Sequence, residues 1–446
     1  MNGFWKKVLW IGAPVALQNL INTILNMCDT MMVSTLGDDF VSAVGLANKV
    51  FFVFNLVLFG ICSGSTILAS QYYGKGDEKG INKIFGFSLM LSIIAGLLFF
   101  ISAFFLPKTI MGLFTNNQEY INIGYSYLKI VSISYVMTAI SMAITALLKS
   151  VNRTRIPMIV TLISVGINII CNYLFIFGKF GFRQMGVDGA ALGTVIARIV
   201  EVALIVCYLI FSKKDFKLNI KSMFILDKTF IFSALIFILP VFFNELGWGL
   251  GTTIYSVIYG HMDDIAVPTM TLAAVIQDLA WVFLLGISNA AAIIIGNSLG
   301  ANLFDDAKKA AVKLLKANFI LGFIMALVVV IMMNPYLLLY PKITDDVKNS
   351  VIHVSIVFAC FLPFKAFNLT NICGVLRSGG DTIACMMLDI CGVWLIAIPL
   401  GLLGAFVFNL NIGWVFLMIC IEEVVKLFVG FTRYKQMKWV RNVVKF

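Results

Sequence analysis

Residues 84–106 read I-F-G-F-S-L-M-L-S-I-I-A-G-L-L-F-F-I-S-A-F-F-L, an unbroken apolar run without a charge, bounded by Lys83 and by Pro107-Lys108. Coiled as an α-helix rising ~1.5 Å per residue, it is long enough to cross the ~30 Å hydrocarbon core of a bilayer. Open strands cannot cross lipid, because every backbone N–H and C=O must be paired within the segment or the protein. The run is also too long and too continuous for a barrel strand, which alternates apolar and polar. A membrane-spanning helix is the reading it supports.

The rest of the chain repeats this pattern. Of 446 residues, 61% are hydrophobic and 12% charged, and the mean hydropathy is +0.98. A water-soluble chain of this length would carry roughly twice that charge. Most of this one must be solvated by lipid. A soluble enzyme, a secreted disulfide protein and a nucleic-acid binder are excluded. Twelve spans are predicted, at 9–36, 44–72, 84–106, 121–148, 156–177, 187–211, 230–260, 266–298, 313–334, 347–376, 383–403 and 405–430. Lys6-Lys7 lead into an apolar segment with no A-x-A-like cleavage site, so the first span is expected to be retained.

The basic residues test this division. With twelve spans, 23 lysines and arginines fall on the side of the N-terminus: Lys6 and Lys7, the clusters at 75–83, 149–155, 213–228 and 308–316, Arg377, and the tail 433–445. Five fall opposite: Lys108, Lys179, Arg183, Lys342 and Lys348. The positive-inside rule places both termini in the cytoplasm. A missed span would scramble the alternation.

An internal repeat is visible when the second half is laid over the first at an offset of 226. Pro14-Val15 then overlies Pro240-Val241, Leu46-Ala47 overlies Leu272-Ala273, Gly60-Ile61 overlies Gly286-Ile287, Ile67 overlies Ile293, and Gly74 overlies Gly300. At 228, Leu148 and Thr154 overlie Leu376 and Thr382. Six spans per half is an even number, so both halves enter from the same side as parallel repeats. That arrangement favours a transporter with a cavity between two lobes. The expected lobes are 1–218 and 219–446, joined by a basic, mildly amphipathic link at 212–229 that lies along the anionic inner leaflet.

Ionisable groups inside spans are costly and mark function. Asp29 lies in the first span with Asn22 and Asn26 before it, and Asn168 and Asn172 share a face of the fifth. An aspartate among amides suits reversible binding of H⁺ or Na⁺, with polar glue between helices as the alternative for the asparagines. In the seventh span Glu245 follows Pro240 and Asn244 and precedes Trp248 and three glycines. Lys365 follows Pro363 and precedes Asn368 and Asn371, and Glu245 is its expected partner. Asp278 and Asp389 are weaker candidates. Arg198 and Glu201, three apart, are expected to pair within one helix. Trp248 and Trp281 can hold organic cations through their ring faces. Trp5, Trp10 and Trp439 read as interfacial anchors. All nine cysteines, Cys420 among them, fall in apolar stretches without a C-x-x-C pair and read as inert core residues. With two histidines and no H-E-x-x-H, no metal is assigned.

Several segments together resemble the bacterial multidrug and toxic compound extrusion (MATE) family. They are Pro14…Asp29-Thr30-Met31-Met32-Val33; G-x-x-x-G-x-x-x-L-A-S-Q-Y-Y-G-K-G-D at 60–77; N-I-I-C-N-Y-L-F-I-F-G at 168–178; G-V-D-G-A-A-L-G-T at 186–194; L-P…N-E-L-G-W-G-L-G at 239–251; and L-R-S-G-G-D-T at 376–382. The resemblance covers nearly the whole chain. It implies an all-α fold of twelve transmembrane helices in two parallel six-helix bundles. It also implies export of organic cations or amphipathic drugs in exchange for H⁺ or Na⁺, with no cofactor. By the same resemblance Asp29 belongs to cation coupling, Asn168 lies near the coupling site, and Glu245 is the seventh-span acid found in several branches. The residues themselves add Asn26 and Asn172 to the coupling set, and place Lys365, Asn244, Trp248, Trp281 and Asn368 with Glu245 in substrate binding. Asn172 departs from the family, many members of which carry aspartate there. The expected partners are small organic substrates and membrane lipids, not nucleic acid, with a functional monomer in the bacterial cytoplasmic membrane. The runner-up is a flippase for a lipid-linked oligosaccharide or similar lipid precursor, which would favour a strongly cationic cavity. A membrane-embedded enzyme would need a nucleophile–base pair, and none is evident.

Overall fold

The computed structural model describes residues 3–211, 218–340 and 343–444. The first part of the predicted link, 212–217 with Lys213, Lys214 and Lys217, lies outside the described residues, as do Lys342 and Lys445. Every regular element among the described residues is helical. In order they are α1 (Gly3–Ser34), α2 (Asp38–Lys75), α3 (Glu78–Phe105), α4 (Pro107–Gly112), α5 (Gln118–Val131), α6 (Ile133–Ser150), α7 (Arg155–Phe177), α8 (Val187–Phe211), α9 (Ile220–Phe224) and α10 (Lys228–Gly260). Then come α11 (Ala266–Gly300), α12 (Phe304–Leu337), α13 (Asp345–Leu369), α14 (Thr382–Cys391), α15 (Ile398–Leu402) and α16 (Ile412–Lys435).

Eleven helices among the described residues are long and apolar enough to cross a membrane. The twelfth predicted span corresponds to α16, whose middle carries Glu422, Glu423 and Lys426. It begins at Ile412, not 405, because Asn411 caps its first turn by accepting from the N–H of Trp414. The predicted fourth span is two helices, α5 and α6, meeting at Ser132. α13 continues into a wide π turn over Thr370–Leu376, and two further π turns, Gly392–Ala397 and Leu403–Val407, interrupt the eleventh span around α15.

The outward faces carry large apolar side chains, among them Leu98, Phe105, Leu327 and Phe428, more than half exposed. Water would not tolerate so much contiguous apolar surface, so lipid is its solvent. Cys62, Cys385 and Cys420 are buried, whereas Cys207 and Cys360 are exposed, and all nine thiols are free. Trp439 corrects an expectation: it is fully buried and stacks on Tyr434, with centroids 5.8 Å apart. Trp10 is exposed, and Trp5 packs at the edge of a core formed by α1, α11 and α12.

The chain gathers into two compact units. One comprises Leu17–Ala69 and Asp77–Ile238. Its interior includes Phe54 stacked on Tyr135, fully buried, where α2 and α6 meet. Met223 of α9 is buried against Gly86 of α3, while Ile220, Phe224 and Ile225 point outward. Asp227 caps α10 by accepting from the N–H of Phe230 at 2.7 Å and pairs with Lys83 at 3.4 Å.

The other unit comprises Met1–Ala16, Ser70–Gly76 and Leu239–Phe446. Here the repeat has a physical counterpart. Gly74 lies so close to the carbonyl of Asn297 that a Cβ would not fit, and Gly300 lies equally close to the carbonyl of Gln71. At the repeat offset Asn297 is the equivalent of Gln71, and Gly300 is the equivalent of Gly74. The two contacts are therefore one contact made twice, with the partners exchanged. Ser70 faces Gly296, its own repeat equivalent, as residues on a pseudo-twofold axis must.

Candidate functional site

In the unit holding Leu17–Ala69 and Asp77–Ile238, α1 and α7 bring Asp29 to Asn172. The Nδ2 of Asn172 donates to Oδ1 of Asp29 across 2.7 Å and to Oδ1 of Asn168 across 3.1 Å. With its amide turned the other way, Asn168 itself donates to Oδ1 of Asp29 at 3.0 Å and accepts from the N–H of Thr194. The i, i+4 spacing of the two asparagines places both on one turn of α7. Asn26, one turn before Asp29, is exposed.

One support of this cluster escapes a reading of the sequence alone. Gly193 of α8 sits against Oδ1 of Asn172, where any side chain would displace the amide. Its only sequence signal is its place in the motif at 186–194. Arg198 points to Glu201 at 2.6 Å, as its spacing predicts, and Ser141 donates to the other Glu201 oxygen at 2.7 Å. The guanidinium is thereby engaged by its own helix. Asp29 is held by neutral amides, an arrangement in which a carboxylate can take up and release a small cation or a proton.

In the other unit, α10, α13, α14 and α16 assemble a buried charge network. Glu245 accepts from Arg377 at 3.0 Å, both nearly inaccessible. Asn244 donates to Asp389 at 3.0 Å. Lys426 lies 3.5 Å from Asp389 and 3.4 Å from Glu422. Lys365 lies 3.7 Å from Glu423, and Asn368 donates to a Glu423 carboxylate oxygen at 2.9 Å and to its carbonyl at 2.7 Å. The expected Lys365–Glu245 pair is therefore corrected: Lys365 belongs to Glu423, and Glu245 to Arg377. Arg377, counted from sequence among the basic residues on the side of the N-terminus, is 2% exposed, and its charge is taken up by Glu245. The π turn just before it adds a residue to the helical turn and changes the face on which it emerges.

Trp394 donates to the carbonyl of Gly247 at 3.0 Å, tying the glycine-rich part of α10 to the eleventh span. Trp248 is partly exposed, while Trp281 packs against the core of α11, α12 and α13. Asp278 is on α11. Among the described residues no group of three or more His, Cys, Asp or Glu side chains is arranged to hold a metal ion.

A bundle of apolar helices with a repeat-related crossing and buried carboxylates defines a polytopic membrane transporter. The MatE family profile matches the chain twice, over residues 14–174 and 240–403. These matches begin at Pro14 and Pro240, the same offset as the internal repeat. The chain belongs to the MatE family. It is 25% identical over 421 residues to "Probable multidrug resistance protein NorM" of Thermotoga maritima, covering 90% of this chain and 88% of that one. To "Uncharacterized transporter YisQ" of Bacillus subtilis it is 23% identical, covering 96% and 94%. Among solved structures, a MOP superfamily transporter from Pyrococcus furiosus, described as having a binding pocket of reverse polarity, matches with TM-score 0.89 at 18% identity, over 97% of this chain and 95% of that one. An outward-facing multidrug resistance MATE transporter matches with TM-score 0.87 at 20% identity, over 97% and 95%. The all-α fold expected from the sequence is thus the fold of this family.

Proposed function

We propose that this transporter exports small organic cations or amphipathic compounds in exchange for H⁺ or Na⁺, by alternating access of two lobes, 1–218 and 219–446. It works as a monomer in a bacterial cytoplasmic membrane with both termini in the cytoplasm. Asp29 is the coupling carboxylate, with Asn168, Asn172 and Asn26 around it. Glu245, Lys365, Asn244, Asn368, Trp248 and Trp281 contribute to substrate binding. The observation that carries this reading is the Asp29 carboxylate bonded by amides at 2.7 Å, with the neighbouring Arg198 taken up by Glu201.

A flippase for a lipid diphosphate would need cations free to meet phosphate. In the network around Glu245, Arg377, Lys365 and Lys426 are each paired with a carboxylate, at 3.0, 3.7 and 3.5 Å, which favours the drug-export reading. The test is uptake of a fluorescent organic cation into proteoliposomes under an imposed pH or Na⁺ gradient. Wild-type protein should drive transport under one of the gradients. Equal rates for wild type, Asp29→Asn and Glu245→Gln under both gradients would refute the assignment.

A further inference from the structure

The chain beyond α16 does not trail off the molecule. Met437 adopts a left-handed backbone conformation, φ 54°, which turns the chain away from the axis of α16. The next residues form a strap with two different ends. Its root is anchored. Trp439 is fully buried on Tyr434 and donates to that residue's carbonyl at 3.2 Å. Gly379 packs so tightly on the Trp439 backbone that no Cβ would fit. Arg441 donates to the carbonyls of Gly379 and Gly380 at 3.1 and 2.6 Å. Asn442 donates to the carbonyl of Gly300 at 3.1 Å and to Asn302 at 2.9 Å. All of these partners belong to the second repeat.

The far end reaches a segment of the first repeat, the last turn of α2. There hydrogen bonds join the strap to α2, and the side chains of Val443 and Val444 are themselves buried. The N–H of Val443 donates to Oε1 of Gln71 at 2.8 Å, and Lys75 donates to the carbonyl of Val444 at 2.9 Å. Nε2 of Gln71 donates to the carbonyl of Ser378 at 2.8 Å. These bonds close over the place where Gly74 and Gly300 pack on each other's neighbours. Bonds to backbone groups exchange with water at a small net cost each, whereas withdrawing a buried tryptophan costs several times as much. The root, with the larger buried side chain, is therefore fixed to one repeat, and the tip, held by two valines and these hydrogen bonds, is the end that releases at lower cost.

We propose that residues 437–444 form a latch that holds the cytoplasmic ends of α2 and α11 together and must release Gln71 and Lys75 before the transporter opens to the cytoplasm. The inference rests on the alternating-access reading above. The positions of Lys75 and the 433–441 basic cluster on the side of the N-terminus place the latch at the cytoplasmic face.

The test uses full-length protein with its nine cysteines replaced by alanine and a reporter, Ser70→Cys, on the axis beneath the latch. Labelling of the reporter by a membrane-impermeant maleimide is followed from the cytoplasmic side of inside-out vesicles. Removing the clasp with Gln71→Ala and Lys75→Ala should raise the labelling rate about tenfold, the effect of losing two or three such bonds. In a second protein, Lys75→Cys and Val444→Cys joined by a short reducible thiol cross-linker should suppress labelling and stop transport until the link is reduced. Unchanged labelling after loss of the clasp, or transport at the uncross-linked rate with the strap tied, overturns the proposal. Labelling is read without any substrate, so a failure of the export assignment leaves it interpretable. If labelling responds as expected while no gradient drives uptake, the latch stands and the substrate assignment falls.

Discussion

Asn172 and Asp29, far apart in sequence on α7 and α1, are joined by a hydrogen bond of 2.7 Å from amide to carboxylate. The bond gives the carboxylate a neutral donor. Asn172→Leu removes the donor while keeping the volume. It is expected to lower gradient-driven uptake about tenfold, the worth of a hydrogen bond to a charged group. Asp29→Asn should abolish coupling to the gradient altogether. Initial uptake rates in proteoliposomes measure both.

Breaking the Glu245–Arg377 pair should be worse for folding than removing it. Arg377→Ala leaves a buried carboxylate without its guanidinium and is expected to cost about 3–5 kcal/mol. The double variant Glu245→Leu with Arg377→Met removes both charges and should recover most of that loss. Thermal unfolding in detergent distinguishes the two, and equal melting temperatures would contradict the pairing.

Gly74→Ala and Gly300→Ala put a methyl against a backbone carbonyl that has no means of retreat. Each should destabilise by about 1–3 kcal/mol, and to a similar extent, because the repeat makes them the same contact. Gly166, mid-helix on α7, has open space where its Cβ would be. Gly166→Ala should stabilise by about 0.5–1 kcal/mol. Melting temperatures of the three variants provide the comparison.

Asp227, outside the spans, is held below the ordinary carboxylate value of 3.8, first by the N–H of Phe230 and then by Lys83. A depressed folded-state pKa means that its stabilisation is full above 3.8 and is lost as the pH falls through the lower folded value. At neutral pH the first turn of α10 should be protected from hydrogen exchange in wild type and less so in Asp227→Ala. The difference should vanish in acid below the folded value. A difference that persists there would show that the cap is not the cause.

The spans are legible in the sequence because lipid demands long apolar runs, and 84–106 meets that demand without ambiguity. Asn168 and Asn172 are legible as a pair because helical spacing alone puts them on one face. The partners of Lys365 and Glu245 are not, since Glu423 lies on α16 and Arg377 beyond the π turn that follows α13, and no local rule selects between charges on different helices. Arg377 misleads for a further reason. Next to the turn sequence S-G-G-D it reads as a loop residue, and nothing in an apolar run announces that the preceding turn is wide. Residue type and basic neighbours point Trp439 to an interface, but one of those neighbours, Arg441, fastens the strap that buries it.

The exchanged contacts of Gly74 with Asn297 and of Gly300 with Gln71 have a consequence for the history of the chain. Each duplicate supplies the seat in which the other rests. A substitution that enlarges either glycine cannot be accommodated within its own half and must be answered in the opposite copy. The two copies differ in their carboxylates and amides, but at this crossing the geometry ties each to the size of the other.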